Sequence, residues 1–207
     1  RKLAAIANNL GKPAVASKLL AKARQGLRAR RNDEAERLEI DYEEARALLL
    51  AGRPREAEQL AQEILSRVAS KERTGPSPIR KVSCSLEPKA LNLLGAIRSS
   101  LGKLAEAREA YARSLKLLKG AAPSLVEAGI HCNLGNLAMA SGGLLEARHH
   151  YTAALRQLIG RNRLEKQVHL VGPIAETQAL VERYQASHIL VLPSLWDTSP
   201  ITVVEAM

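Results

Sequence analysis

One glycine recurs four times in this chain with the same neighbours, and this repetition constrains the fold more than any other feature. Gly11, Gly52, Gly102 and Gly142 stand 41, 50 and 40 residues apart, and each is followed by an alanine five residues later. A glycine can take a positive φ angle, which ends a helix and opens a short turn, and an alanine lets two helices cross closely. The pattern therefore predicts a series of helical hairpins. The repeated positions five and nine residues after the glycines are Ala16, Ala57, Ala107 and Ala147, and Leu20, Ala61, Tyr111 and Tyr151.

The last two copies of the pattern are the most complete. Gly95 and Gly135 precede their turn glycines by seven residues, where we expect the two helices of a hairpin to cross. Tyr111 and Tyr151 are predicted to fill the space toward the next hairpin. Because one hairpin cannot bury its own apolar stripe, the copies must stack into a right-handed α-solenoid with a concave face.

We predict four hairpins, spanning residues 1–30, 34–70, 88–119 and 124–159. Residues 71–87 contain a glycine and two prolines in a polar stretch, so we assign them to a loop between hairpins, which accounts for the 50-residue spacing. Because the chain contains no phenylalanine, its core has to consist mainly of leucine, alanine, isoleucine and valine.

The charge and the cysteines limit the classes of function. The net charge of +10 divides into +7 over residues 1–89, +4 over 90–160 and −1 over 161–207, but arginines alternate with glutamates, as on a solvated helix face. We therefore consider nucleic-acid binding unlikely. Two distant cysteines favour neither a disulfide framework nor a zinc site, and no apolar run reaches the roughly 20 residues that span a bilayer. We expect a cytoplasmic protein without a membrane span, and a chain that is part of something longer.

No catalytic constellation stands out among residues 1–158. His131, His149 and His150 lie on predicted helices, where we expect structural or surface roles rather than metal ligation. Tyr111 and Tyr151 occupy packing positions of the repeat, so we assign them to the core. The sequence predicts no metal site.

After about residue 158 the helical periodicity gives way to two short β-branched runs, VHLVG (168–172) and HILVLP (188–193). The segment between them, residues 175–186, has the pattern of an amphipathic helix. Apolar strands that alternate with helices are typical of a parallel sheet. We predict an incomplete α/β segment of the βαβ type over residues 159–207.

Two family resemblances follow from these motifs. The segments LGKLAEAREAYARSL (101–115) and SGGLLEARHHYTAAL (141–155) resemble tetratricopeptide repeats, with a period of about 40 residues. The stretch RNRLEKQVHLVGPI together with YQASHILVLPSLWDTSPITVVEAM is similar to the nucleotide-sugar-binding half of family-4-type glycosyltransferases, which have two Rossmann domains. That resemblance covers roughly 45 residues, in the middle of the family's C-terminal domain.

The second resemblance implies roles for four residues. Asp197 stands where the family has a glutamate near the anomeric carbon of the donor sugar, and Glu205 where a second glutamate binds the nucleotide ribose. Backbone N–H groups around Ser199 and Thr202 would face the donor diphosphate, at the start of a helix. The donor would be a uridine or guanosine nucleotide-sugar, if the domain is complete in the parent protein. Without a glycosyltransferase, Asp197 is a loop or capping carboxylate and Glu205 an exposed helix residue.

Three functions fit these patterns. In the first, the repeats bind a protein or peptide on their concave face and are attached to a truncated, inactive donor-binding half-domain. In the second, the chain is a fragment of an active retaining glycosyltransferase whose repeats recruit an acceptor or partner. In the third, it is a helical-repeat transcriptional or signalling regulator.

Overall fold

A computed structural model describes residues 1–28, 34–74, 77–171, 174 and 176–187, and of residues 28, 71–74, 77–83 and 184 it describes the backbone only. Nine helices lie within these residues, and none of the described residues forms a β-strand. None of the described helices is long and apolar enough to cross a bilayer. The helices are α1 Lys2–Asn9, α2 Pro13–Arg28, α3 Glu34–Leu50, α4 Pro54–Thr74, α5 Ser77–Ser100, α6 Leu104–Leu118, α7 Leu125–Ala140, α8 Leu144–Asn162 and α9 Thr177–Gln185.

The chain divides into two compact units, Arg1–Glu165 and Lys166–Met207. The first unit holds α1 to α8, which form four antiparallel hairpins: α1/α2, α3/α4, α5/α6 and α7/α8. We call the first helix of each hairpin its A helix and the second its B helix. This mainly helical array confirms the predicted fold class for residues 1–158.

The four repeat glycines end the A helices as predicted. Gly11, Gly52, Gly102 and Gly142 have φ angles of 65°, 74°, 76° and 76°. In each turn the residue after the glycine donates its N–H to a carbonyl five residues earlier, as Lys103 does to Arg98 at 2.9 Å. This is the Schellman arrangement, in which a left-handed residue pairs the last carbonyls of the helix. In the first two hairpins a proline, Pro13 or Pro54, begins the B helix, where its missing N–H has no intrahelical partner to lose.

Small residues sit where the helices of a hairpin cross. Ala16, Ala57 and Ala107 are fully buried, and Ala147 is 1% exposed. Gly95 lies directly under the ring of Tyr111, and a Cβ atom at Gly135 would lie 2.5 Å from Cε1 of Tyr151. Those two glycines are therefore required by the aromatic side chains opposite them.

The core lies both within the hairpins and between successive ones, and the larger side chains lie mainly between hairpins. Leu20 and Leu27 of α2 pack with Ile40 of α3, and Ile64 and Val68 of α4 cluster with residues of α5. Tyr111 of α6 contacts the cluster that includes Ile130 and Leu134 of α7. Each B helix thus buries its apolar stripe against the next A helix, as the stacking argument requires.

The predicted loop at residues 71–87 is wrong. Helix α4 continues to Thr74, and α5 begins at Ser77, so only residues 75 and 76 lie between them. Pro78 falls in the first turn of α5, where a proline costs no helical hydrogen bond. Pro88 lies inside α5, and its carbonyl accepts a hydrogen bond from the buried Ser114 hydroxyl at 2.7 Å. Two longer helices account for the 50-residue spacing of the glycines.

Among the described residues of the second unit, the helix is the one predicted element that is present. Helix α9, Thr177–Gln185, lies within the predicted helical segment 175–186. Residues 168–171, predicted to form the first strand, are not in a strand. An apolar run can form a strand only by pairing with a neighbour. The run predicted to supply that neighbour, residues 188–193, lies outside the described residues.

Candidate functional site

The four residues that the glycosyltransferase resemblance singles out lie outside the described residues. These are Asp197, Ser199, Thr202 and Glu205. The roles assigned to them, and the nucleotide-sugar donor, stay predictions. Residues 1–165 therefore supply the geometry from which a site can be argued.

The structure brings together two histidines that the sequence left separate. Nδ1 of His131 on α7 lies 3.2 Å from Nδ1 of His150 on α8, within hydrogen-bonding distance. Burial and the neighbouring His149 lower the pKa of His131; burial and the other two histidines lower that of His150. No group of three or more His, Cys, Asp or Glu side chains within the described residues could hold a metal ion.

A carboxylate on the same helix accompanies His150. Glu146 stands four residues before His150, and its Oε1 lies 3.9 Å from His150 Nε2. The same carboxylate pairs with Arg108 of α6. The pair therefore joins the two helices of the last hairpin, which agrees with a structural role.

The two tyrosines of the repeat differ in their surroundings. Tyr111 is 1% exposed, and burial raises the pKa of its hydroxyl. Tyr151 is only partly buried, and its hydroxyl donates a hydrogen bond to Asn136 Oδ1 at 2.7 Å. The predicted place in the core is confirmed for Tyr111, whereas Tyr151 lies at the edge of the packed region.

A cleft of about 460 Å³ opens along the A helices of the first three hairpins. It is lined by polar groups of α1 and α3 and by leucines of α3 and α5. We call it the A-helix cleft. Its lining residues are Asn8, Asn9, Arg46, Leu49, Leu50 and Leu93.

Asn8 is the most unusual group in the A-helix cleft. Its side chain is almost completely buried, at 3% exposure. Its Nδ2 donates to the backbone carbonyl of Glu43 and to Oε2 of the Glu43 carboxylate, both at 2.9 Å. Because both partners are acceptors, the amide nitrogen must face them, and Oδ1 must face the other way. Within the described residues Oδ1 has no hydrogen-bond partner.

A buried acceptor without a partner is unfavourable. Leaving such a group unsatisfied costs about 1–3 kcal/mol, so a molecule that donates a hydrogen bond to it recovers that free energy. Asn8 Oδ1 has less than 1 Å² of accessible surface, so a donor reaches it only if the side chains around it move.

The charge in the A-helix cleft is compensated. The Arg46 guanidinium donates to Glu43 Oε2 at 3.0 Å and to Asn9 Oδ1 at 2.7 Å. Glu43 is itself only 8% exposed. Since Arg46 is already paired, the cleft is not a strong anion site. Leu50, half exposed at 49%, adds an apolar rim.

A second cleft, of about 480 Å³, lies among α2, α3 and α4. Its carboxylates are already satisfied: Arg67 donates to Asp41 Oδ2 at 2.7 Å and to Glu34 Oε1 at 2.8 Å. Arg24 donates to the other oxygen of Asp41, also at 2.7 Å. These ion pairs tie the first hairpin to the second, and we assign this cleft a structural role.

Comparison with known proteins adds no relative: no protein-family model matches the chain, and no curated protein is significantly similar to it.

Proposed function

We propose that residues 1–165 bind an extended polypeptide segment along their A helices, with the A-helix cleft as the principal contact. The observation that carries this proposal is the A-helix cleft itself, about 460 Å³ in volume, which joins polar groups of α1 and α3 to the half-exposed rim residue Leu50. A peptide backbone offers N–H donors at regular spacing, and one of them would satisfy Asn8 Oδ1 once the side chains that cover this oxygen move.

The packing of the helices supports the same surface. Each A helix contacts the next A helix, whereas within the described residues no B helix contacts another B helix. Successive B helices are thus farther apart than successive A helices, an arrangement that curves the array with its A helices inside. A concave row of this kind can follow an extended chain over several hairpins.

The lining of the cleft indicates which peptide would bind. Leu49, Leu50 and Leu93 favour an apolar side chain, and the paired Arg46 gives little preference for an acidic one. The ligand we propose is therefore an extended segment with an apolar anchor residue and a backbone N–H beside it.

Selection from a displayed library of random peptides tests this function, followed by calorimetric titration of the chosen peptides. We expect Leu50→Ala to weaken binding at least several-fold, because it removes exposed apolar area from the rim. Met139→Ala is the matched control: Met139 is 48% exposed but lies on α7, outside the cleft. A selected peptide that binds both variants with unchanged affinity would refute the proposed site.

Asn8→Leu provides a second test, since leucine has a similar volume but no acceptor. We expect it to weaken peptide binding while the chain remains folded, because Glu43 keeps its contact with Arg46. Circular dichroism verifies the fold. Equal affinity of the peptide for wild type and for Asn8→Leu would show that Asn8 does not contribute to binding.

The glycosyltransferase resemblance remains a prediction about residues 159–207, and so does the cytoplasmic location.

A further inference from the structure

The stacking of the hairpins provides a second interaction surface, separate from the A-helix cleft. Three apolar side chains of α1 are largely exposed: Leu3 at 66%, Ile6 at 53% and Leu10 at 65%. They stand eight, five and one residues before the turn glycine Gly11. We call these three residues the α1 surface.

The same positions are buried in later hairpins. Eight and five residues before Gly102 stand Leu94 and Ile97, with exposures of 4% and 0%; before Gly142 stand Leu134 and Leu137, with 5% and 3%. Leu94 and Ile97 share a core cluster with Ile64 and Val68 of the preceding B helix. These positions therefore form the face that accepts the B helix of the preceding hairpin.

The last B helix presents the matching face. Positions nine, thirteen and sixteen residues after Gly102 are Tyr111, Leu115 and Leu118, which pack with residues of the following A helix. Their equivalents on α8 are Tyr151, Leu155 and Leu158. Leu155 is 47% exposed, whereas Leu115 is partly buried. We call Tyr151, Leu155 and Leu158 the α8 surface.

We propose that the α1 surface of one chain docks on the α8 surface of a second copy, continuing the repeat from chain to chain. The contact repeats an interface that already occurs three times within the unit, between α2 and α3, α4 and α5, and α6 and α7. The α1 surface is apolar and largely exposed in this chain, so it presents that interface to a second copy. Because the two surfaces differ, the contact is heterologous and extends in an open, head-to-tail manner.

Sedimentation velocity at increasing concentration, up to about 1 mM, provides the first test, since weak apolar contacts are detected there. We expect the average mass of the intact chain to rise with concentration. The variant Leu3→Glu/Ile6→Glu should stay monomeric, as should Leu155→Glu. Both replace exposed side chains, so circular dichroism should show unchanged helix content. Leu117→Glu is the matched control: Leu117 is 50% exposed on α6 but belongs to neither surface, and its variant should associate like the wild type.

Mixing the two monomeric variants is the decisive experiment. One retains the α8 surface and the other the α1 surface, so an equimolar mixture should form dimers and nothing larger. A wild-type chain that stays monomeric up to 1 mM would overturn the proposal. So would self-association of Leu155→Glu alone, which would mean that two α1 surfaces meet each other.

Discussion

The two halves of the helical array solve the same packing problem with different side chains. In hairpins 3 and 4 a glycine of the A helix faces a tyrosine of the B helix, as Gly95 faces Tyr111. In hairpins 1 and 2 the equivalent pairs are Ala4 with Leu20 and Ala45 with Ala61, all fully buried. In three of the four hairpins a larger residue on one helix is matched by a smaller one on the other, and in hairpin 2 both are alanine, so no crossing holds two large side chains.

The polar groups on the A helices differ in the same way. Between α5 and α7, Asn133 Nδ2 donates to Asn92 Oδ1 at 3.0 Å, so one amide supplies the partner of the other. Between α1 and α3, Asn8 leaves its Oδ1 without a donor among the described residues. The second half of the array thus combines aromatic packing with paired amides, while the first half has a buried acceptor without a partner among the described residues.

The largest effect should come from removing a tyrosine. Tyr111→Ala deletes a buried aromatic ring and should lower the free energy of unfolding by about 3–5 kcal/mol. Tyr151→Ala should cost much less, because that ring is only partly buried. Chemical denaturation of the two variants measures this difference. Equal losses would contradict the distinction between an inner and an outer tyrosine.

The glycine beneath Tyr111 is the next test. Gly95→Ala forces a methyl group into the ring and should destabilise the chain by about 1–3 kcal/mol. Gly129→Ala on α7 is the matched control: its nearest neighbour, Asn92 Nδ2, would lie 3.8 Å from the new Cβ atom. That substitution should stabilise the helix by up to about 1 kcal/mol.

A double mutant sharpens the comparison of the two halves. Gly95→Ala with Tyr111→Leu recreates the alanine and leucine pair of hairpin 1. In the Tyr111→Leu background, Gly95→Ala should lower the free energy of unfolding by less than it does in the wild type. The coupling energy between the two substitutions should be about 0.5–3 kcal/mol. Additive effects of the two substitutions would show that the volumes at the crossing are independent.

A smaller effect is expected at the turns. Gly102 has a φ of 76° and nothing within 4 Å of an added Cβ atom. Gly102→Ala should therefore lower the free energy of unfolding only by the energy needed to hold an alanine in the left-handed conformation. That cost is about 1–2 kcal/mol. The matched substitution Gly26→Ala, in equally open space inside α2, should stabilise by about 1 kcal/mol. Thermal unfolding distinguishes the two, and stabilisation by both would exclude a conformational role for Gly102.

The smallest expected effect is the pH dependence of the free energy of unfolding that arises from the histidines of the last hairpin. The pKa values of His131 and His150 are lowered in the folded chain, so the unfolded chain binds more protons below 6.5, the ordinary pKa of histidine. The free energy of unfolding should therefore be constant above that pH and fall as the pH drops through the lowered values. Protonation of both rings would also place two charges 3.2 Å apart.

Urea unfolding at pH 7.5 and at pH 5.5 tests this dependence. His131→Gln should reduce the pH-dependent loss more than His149→Gln does, because His149 does not hydrogen-bond to the pair. A loss that is the same in wild type and His131→Gln would assign the pH effect to other groups.

The sequence predicted those parts of the fold that local signals determine. Gly52 followed by Pro54 marks the turn of hairpin 2, and the predicted start of that hairpin at residue 34 matches the start of α3. The same local reasoning failed at residues 71–87, where Gly75, Pro76 and Pro78 were taken as signs of a loop. A proline near the start of a helix costs little, and the sequence does not show on which side of the proline a helix begins.

The candidate site depends on contacts that no local pattern contains. Asn8 and Glu43 are 35 residues apart, and they meet only because hairpin 1 stacks on hairpin 2. His131 and His150 are 19 residues apart on antiparallel helices, and no local pattern links them. The strand predicted at residues 168–171 illustrates the same point, since an apolar run needs a neighbour before it becomes a strand.

The central claim is that a polypeptide binds at the A-helix cleft and not at the paired amides of α5 and α7. Amide NMR of the isotope-labelled chain, titrated with a peptide from the library selection, tests it most directly. We predict that the side-chain amide of Asn8 and the backbone amides around Arg46 and Leu93 shift and saturate together, while the side-chain amides of Asn92 and Asn133 remain unchanged. Saturating shifts centred on Asn133 and hairpin 4, with Asn8 unmoved, would contradict the account.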